Sequence, residues 1–458
     1  MRFRVVLVCV AVLAVAASPS TITAAPSASA GPPGKWTRIT DTNLDNIDEV
    51  GLARTSDGVL HAVWPAHFGS LDEAVMHTAI TPNGKVAGTN MVSGGLHSVR
   101  NPELIVEPTG GLRTFFGATT GVSDSDGIRT ASAGADGATW NVQGSRASNS
   151  KMPGEAGASL TSGGAPIFAW GTSFHLYVHT GVSPTAPDLD LRTETKCCDY
   201  DPDVATDSAT GETFVAWYSN ATDEFGTWVQ RVAPSLGEKT FVPGSAQNGN
   251  AIQPRNRTQI SSRLGAPGVY VAFCSGYPEC KKARLWRVGA GKAMTAGRGG
   301  DVESVGLSAG PGGRLWVYWQ DNDSDVYKAT RSNEAVTKMG AIVKVKPPKG
   351  TTSLWRVAGE GSRGQLDLFA HVSTAGSIAT WHTQVRPGLT LRCGGGKVIN
   401  CTVGDAGDPV GGAKVKIGGK TLTSNSKGKV SANLPPGTFA ATATKAGYMK
   451  ARTRVKSK

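Results

Sequence analysis

A unit of about fifty residues recurs seven times between Asp48 and Val385, and it constrains the fold more than any other feature of the 458-residue chain. Each copy runs as an extended segment, turns at a glycine-rich tip and re-enters a hydrophobic strand that often ends in Trp. The clearest copies are DEVGLARTSDGVLHAVW (48–64), GEAGASLTSGGAPIFAW (154–170), DPDVATDSATGETFVAW (201–217) and ESVGLSAGPGGRLWVYW (303–319). Weaker copies span 101–116, 258–273 and 354–369. Trp64, Trp170, Trp217 and Trp319 fall at one register, six residues after the turn glycine. Period-2 alternation punctuated by glycine reads as paired strands, and a repeat of this length suits a four-stranded propeller blade. One blade cannot bury its own faces, so the copies must stack around an axis. The expected fold is all-β, a seven-bladed β-propeller closed by an N-terminal strand, plus a small β-sandwich. The last repeat offers three strands (354–360, 365–371 and 377–385), and the segment Lys35–Thr40, KWTRIT, would supply the fourth and remove an exposed edge. The position of the aligned tryptophans favours packing between blades, which leaves Trp228 and Tyr277 as candidates for exposed contacts.

The first thirty residues read as an address. Arg2 and Arg4 precede an apolar run from Val5 to Ala17 and a small-residue stretch ending Ala28-Ser29-Ala30, which has the form of a secretory signal with its cleavage site. That run is too short to span a membrane, and no other segment approaches the required length. The mature chain is therefore expected to be secreted, extracellular and monomeric. Six cysteines then remain in an oxidising compartment, where disulfides are the default. Cys274 with Cys280 and Cys393 with Cys401 would each close a short loop. The adjacent Cys197 and Cys198 would form a vicinal bond or pair outside the chain.

Charge is unevenly spread. The chain carries a formal +12, yet residues 387–458 hold thirteen Lys or Arg against two Asp, and the signal segment holds two Arg and no acid. Residues 31–386 are thus almost neutral. Such asymmetry points to an interaction surface. The basic residues are either a solvated face or a means of retention on a polyanion such as teichoic acid or acidic polysaccharide. Nucleic acid is disfavoured, because no aromatic stacking pattern accompanies the lysines. The segment itself, with Asp408-Pro409-Val410, Gly412-Ala413, the Thr423–Gly428 turn, Pro436-Gly437-Thr438 and Lys445-Ala446-Gly447-Tyr448, resembles the carboxypeptidase regulatory-like family. That resemblance implies a transthyretin-like sandwich of immunoglobulin type, without catalytic groups, acting as a stabilising or adhesive accessory.

Ligands of propellers sit at the axial funnel. Alignment on the turn glycine places Asp48, Asn101, Gly154, Asp201, Thr258, Glu303 and Leu354 at equivalent starts of the innermost strands, with Arg100, Glu103, Asp203 and Arg257 nearby. These polar groups would meet a small polar ligand or would bond neighbouring blades. Asp321, Asp323 and Asp325 stand at alternate positions after Trp319, a spacing of hard oxygen ligands that suits Ca²⁺, though a solvated turn has the same form. No cofactor is required.

The segment VRNPELIVEPTGGLRTFF (99–116) resembles the sialidase signature of Arg, one residue, Pro, then strand, turn and strand. Downstream, DSDGIRTASAGADGATW (124–140) resembles the sialidase segment that carries the acid/base Asp and ends in an Asp-box. Gly137, Thr139 and Trp140 match that box, while Ala133 and Ala135 replace its Ser and Asp. The resemblance implies that Arg100 is the first of three arginines holding a sugar carboxylate bidentately and that Asp124 or Asp126 is the acid/base. Arg257 would be a later member of that triad. The second arginine is missing, since Gly117-Ala118-Thr119-Thr120 follows Phe116, and spacing assigns no Tyr–Glu nucleophile pair. The favoured reading is a secreted glycan-binding protein on a degenerate sialidase-like propeller, retained by its basic module. The alternatives are an active sialidase-type exo-glycosidase and a structural or adhesive surface protein.

Overall fold

The structure is a computed structural model that describes residues 35–40, 50–69, 72–120, 127–143, 155–172, 175–182, 187–191, 199–219, 221, 224–245, 259–276, 280–374 and 377–458. The signal segment, Asp48, Asp124, Asp126, Cys197, Cys198, Arg257 and Tyr277 lie outside the described residues.

The chain is all-β and built from four-stranded antiparallel sheets, an arrangement of β-propeller type. Seven such sheets follow one another along the sequence. Their first strands are Gly51–Arg54, Ser98–Val106, Ala156–Leu160, Asp199–Thr206, Gln259–Ser262, Val302–Ala309 and Thr351–Glu360. Each of these packs against the first strand of the next sheet, and the seventh packs against the first, so they form a closed ring. The seventh sheet takes three strands from the end of the series and its fourth from the N-terminus: Thr37 and Arg38 pair with His382 and Trp381, and Ile39 N–H donates to the Thr380 carbonyl.

Local sequence explains the repetition. The turn glycines Gly58, Gly110, Gly164, Gly211 and Gly313 all take positive φ, between 71° and 90°, a region open to glycine at little cost. Six residues later the aromatic chain enters the inter-sheet layer. Trp64, Trp170, Trp217 and Trp319 are all buried, and each packs on the preceding sheet: Trp64 with Phe369 and Ile39, Trp170 with Phe115 and Ile128, Trp217 with Ile167 and Ala169, Trp319 with Tyr270 and Leu285. The tryptophans are therefore mortar between sheets, as their register led us to expect. Trp228 is half-buried, donates to the Glu224 carbonyl over 2.9 Å and is covered by the Lys239 ammonium.

Residues 390–457 form two further four-stranded sheets. One joins Thr390–Gly394, Val398–Asp405, Asp408–Pro409 and Lys429–Asn433; the other runs in the order Lys420–Thr423, Lys414–Ile417, Gly437–Thr444, Ala451–Ser457. Their inner faces share one core that includes Ile399, Val403, Val415, Ile417, Ala441 and Val455. Among the described residues two disulfides are present, Cys274–Cys280 and Cys393–Cys401.

The C-terminal sheets are fastened to the sixth sheet by buried charge. Arg331 donates to Asp405, and its guanidinium lies 5.7 Å from the ring centres of both Trp316 and Tyr448. Arg314 donates to Asp408 over 2.5 Å and lies 3.7 Å from Asp405. These are the two acids of residues 387–458, and both are spent on this junction.

Candidate functional site

On the axis of the ring lies a cavity of about 370 Å³, walled by the first strands of all seven sheets. Its polar lining includes Arg54, Glu103, Asp203, Gln259, Ser308, Tyr318 and Glu360. Leu264, from the turn after the fifth sheet's first strand, lies on its wall and is 42% exposed, which places a mouth on the face that carries those turns.

The lining side chains are held in place from sheet to sheet. Asp203 accepts one bond from the N–H of Val204 at 2.8 Å and another from Ile260 of the fifth sheet at 3.0 Å. Gln259 Oε1 accepts from Leu307 N–H of the sixth sheet at 2.6 Å. The Tyr318 hydroxyl lies 3.2 Å from both Gln259 Oε1 and the Gly359 carbonyl. Ser308 Oγ accepts from Gly361 N–H at 2.9 Å. Arg54 closes the seam between first and seventh sheets, donating to Glu360 at 2.6 Å and to Asp367 at 2.5 Å. Burial alone would raise the Asp367 carboxyl, but His382, Arg54 and Gln384 hold it below the usual range.

Of the residues singled out from sequence, Glu103 and Asp203 line the cavity. Asn101 and Asp201 do not: they are 1% and 5% exposed and meet side chain to side chain, Asn101 Nδ2 to Asp201 Oδ1 at 3.5 Å. The reason is a β-bulge repeated in alternate sheets, where pairing slips between Arg100 and Glu103, between Tyr200 and Asp203, and between Glu303 and Gly306. Asp201 and Ser304 sit there in left-handed backbone, each with φ of 47°. Asn101-Pro102-Glu103 and Asp201-Pro202-Asp203 are thus one structural device used twice, and in the second copy Tyr200 stands where Arg100 stands in the first. Proline suits a bulge because it cannot donate to the ladder. The Arg-x-Pro pattern at 100–102 therefore has a structural cause independent of sugar binding. Arg100 is half-buried, and the residue facing it across the ladder is Gly117.

Glu303 is half-buried and faces Gln320. Asp321, Asp323 and Asp325 do not converge. Asp321 turns inward onto Lys328 and accepts from Ser324 Oγ at 2.5 Å and Gly300 N–H at 3.2 Å. Against the effect of burial, these donors hold its carboxyl below the usual range. Asp323 and Asp325 point to solvent, and among the described residues no group of three His, Cys, Asp or Glu is placed to hold a metal ion.

Sequence reading overlooked Arg54, Gln259, Tyr318 and Glu360. Tyr318 reaches the axis from a second strand because Gly306 and Gly359 flank its ring; a Cβ at Gly359 would meet it at 3.1 Å. The signal was present as a glycine in the middle of the first strand, opposite an aromatic residue. A second overlooked group is the buried pair His61 and His77, 2.9 Å apart through Nδ1 and Nε2. Asn90 donates its amide N–H to the carbonyls of Gly137 and Ala138, so its Oδ1 accepts from His77 Nδ1–H at 2.9 Å. Burial favours the neutral form of both rings, and in that form His77 Nε2 accepts from His61 Nδ1–H. Burial, then the neighbouring His77, pushes His61 down to about 4; burial lowers His77 as well.

No family model and no curated protein matches the chain. Solved structures to which it is similar include the polysaccharide lyase Uly1 (TM-score 0.47, 9% identity, covering 77% of this chain and 99% of that one). They also include a Penicillium chrysogenum alpha-L-arabinanase complexed with arabinobiose (TM-score 0.43, 14% identity, 63% and 94% covered). A third is the Hadza microbial sialidase Hz136 (TM-score 0.41, 10% identity, 72% and 73% covered).

Proposed function

We propose that the chain is a secreted glycan-binding protein. In this reading the seven sheets are the blades of a degenerate sialidase-like propeller spanning residues 31–386. Residues 387–458 are a basic accessory domain of carboxypeptidase regulatory-like type that retains the protein on an anionic envelope polymer. The observation that carries the reading is the axial cavity. Its volume, about 370 Å³, falls within the span of small-molecule sites, roughly 300–1,000 Å³. Its carboxylates, amide, phenol and hydroxyls complement sugar hydroxyls, and the inter-sheet bonds hold them without reorganisation. Gly117 opposite Arg100 supports binding over sialidase chemistry, because that chemistry clamps the substrate carboxylate with several guanidinium groups.

Titration calorimetry of the mature protein against defined oligosaccharides tests this. Glu103→Gln and Tyr318→Phe should each weaken binding about tenfold, the loss of one strong hydrogen bond. Failure of the unmutated protein to bind any oligosaccharide overturns the reading. Hydrolysis of a fluorogenic sialoside that is abolished by Arg100→Ala would establish a glycosidase instead.

A further inference from the structure

The thirteen basic residues of the C-terminal module are not evenly distributed over its surface. In the sheet formed by Lys420–Thr423, Lys414–Ile417, Gly437–Thr444 and Ala451–Ser457, register places Lys416, Thr442 and Arg452 side by side. Strict alternation sends Val415, Ile417, Ala441, Ala443 and Val455 into the core. It sends Lys414, Lys416, Arg452, Arg454 and Lys456 outward, all exposed. The strand between these two cationic rows presents only small residues on that face, among them Ala440 and Thr442. Lys416 and Arg452 thus face each other across Thr442, while Lys414 lies beside Thr444, and Arg454 and Lys456 lie beside Ala440 and Thr438. The rows overlap at one level and run on in opposite directions along a low floor. The rows stand about 10 Å apart, two strand spacings, and charges along one row repeat about every 7 Å.

No carboxylate shares this face. The module's two acids, Asp405 and Asp408, are occupied by Arg331 and Arg314 at the junction with the sixth sheet. The opposite sheet carries fewer outward cations: Arg392 and Lys429 flank Thr402 there, and its other outward residues include Asn400, Ser431 and Asn433. A face of one sign, uncompensated by its own module, raises the local concentration of anions and draws them from solution.

We propose that this trough binds a single chain of an acidic polysaccharide bearing carboxylate or sulfate groups, lying along the strands between the two cationic rows. Threonine hydroxyls on the floor suit sugar hydroxyls. A nucleic acid is a poorer occupant, because single strands are held through base stacking on aromatic rings and the floor has none: Phe439 packs inward on the core, and Tyr448 lies against Arg331. The inference specifies the ligand and face for the retention role proposed above and is independent of the axial cavity.

The test is binding of the whole mature protein to immobilised polygalacturonate and dextran sulfate, with neutral dextran and duplex DNA alongside. Retention on the two acidic polysaccharides should fall steeply with added salt and be absent on neutral dextran. Arg452→Ser/Arg454→Ser/Lys456→Ser should weaken it at least about tenfold with an unchanged melting temperature, since the three side chains are solvent-facing. Arg392→Ser/Lys429→Ser, on the other sheet, should leave most of it intact. Equal losses from both variants would mean general charge attraction and overturn the proposal. So would tighter binding of DNA than of polygalacturonate, or no retention at all. Loss of oligosaccharide binding in the Glu103→Gln protein with retention preserved would separate the cavity from the trough.

Discussion

Arg331 shows how much one side chain can carry. It bonds Asp405, reaches the Gly364 carbonyl of the seventh sheet at 2.7 Å, and lies between Trp316 and Tyr448. Removing it leaves a carboxylate that is 1% exposed with only the more distant Arg314 cation, at 3.7 Å, and breaking a buried pair from one side is more damaging than replacing both partners. Arg331→Ala should therefore cost about 3 kcal/mol, read as earlier thermal unfolding and faster proteolysis near residues 386–389. Arg331→Met/Asp405→Leu should recover much of that loss. The buried histidines set a pH dependence of definite sign. Their folded values lie below those of the unfolded chain, so the unfolded chain binds more protons and stability falls as pH drops from about 6.5 to about 4. His77→Gln should flatten that slope in urea melts, and an unchanged slope would assign the acid sensitivity to other groups.

At the scale of elements, the alternate-sheet bulge depends on glycine in its neighbours. A Cβ at Gly51 would lie 2.6 Å from the Pro102 carbonyl oxygen, and one at Gly157 would lie 2.5 Å from Asp203 Cα. The bulges of the second and fourth sheets are accepted because the first and third sheets yield space at that level. Gly157→Ala should destabilise by about 1–3 kcal/mol, the cost of overpacking, in chemical denaturation. Gly88→Ala, where an added methyl meets nothing within 4 Å, should not lower the midpoint. Equal behaviour of the two would refute the spatial argument.

For the whole molecule the decisive contact joins the two ends of the ring. Ile39 is buried with Trp64 and Phe369, and Thr380 N–H donates to Thr40 Oγ1 at 3.0 Å. Deleting residues 35–40 would leave the strand Ser377–Val385 as an open edge, and unpaired edges recruit other chains. The truncated protein should melt earlier and self-associate on light scattering, while the C-terminal sheets keep their own disulfide and core. A truncated protein that stays monomeric with an unchanged melt would show that the ring does not depend on this closure.

The periodic part of this architecture was legible without coordinates. Turn glycines, alternating strands and aligned tryptophans act over a few residues, so their spacing alone yields sheets, their order, the closing strand and the packing role of Trp64 or Trp319. The local disulfides were legible for the same reason, as each closes a short loop. The site was not. Asn101 and Asp203 look equivalent to their neighbours in a repeat alignment, yet a one-residue slip in strand pairing turns the first into the interior and the second onto the axis. Tyr318 joins the cavity only through the gap left by Gly306 and Gly359, on two different sheets. Likewise composition gave the module's excess charge, but only packing shows that its two acids are consumed at the junction and that Lys414, Lys416, Arg452, Arg454 and Lys456 share one acid-free face. Short-range pattern is written in sequence; which side chains share a space depends on register and on contacts between residues hundreds of positions apart.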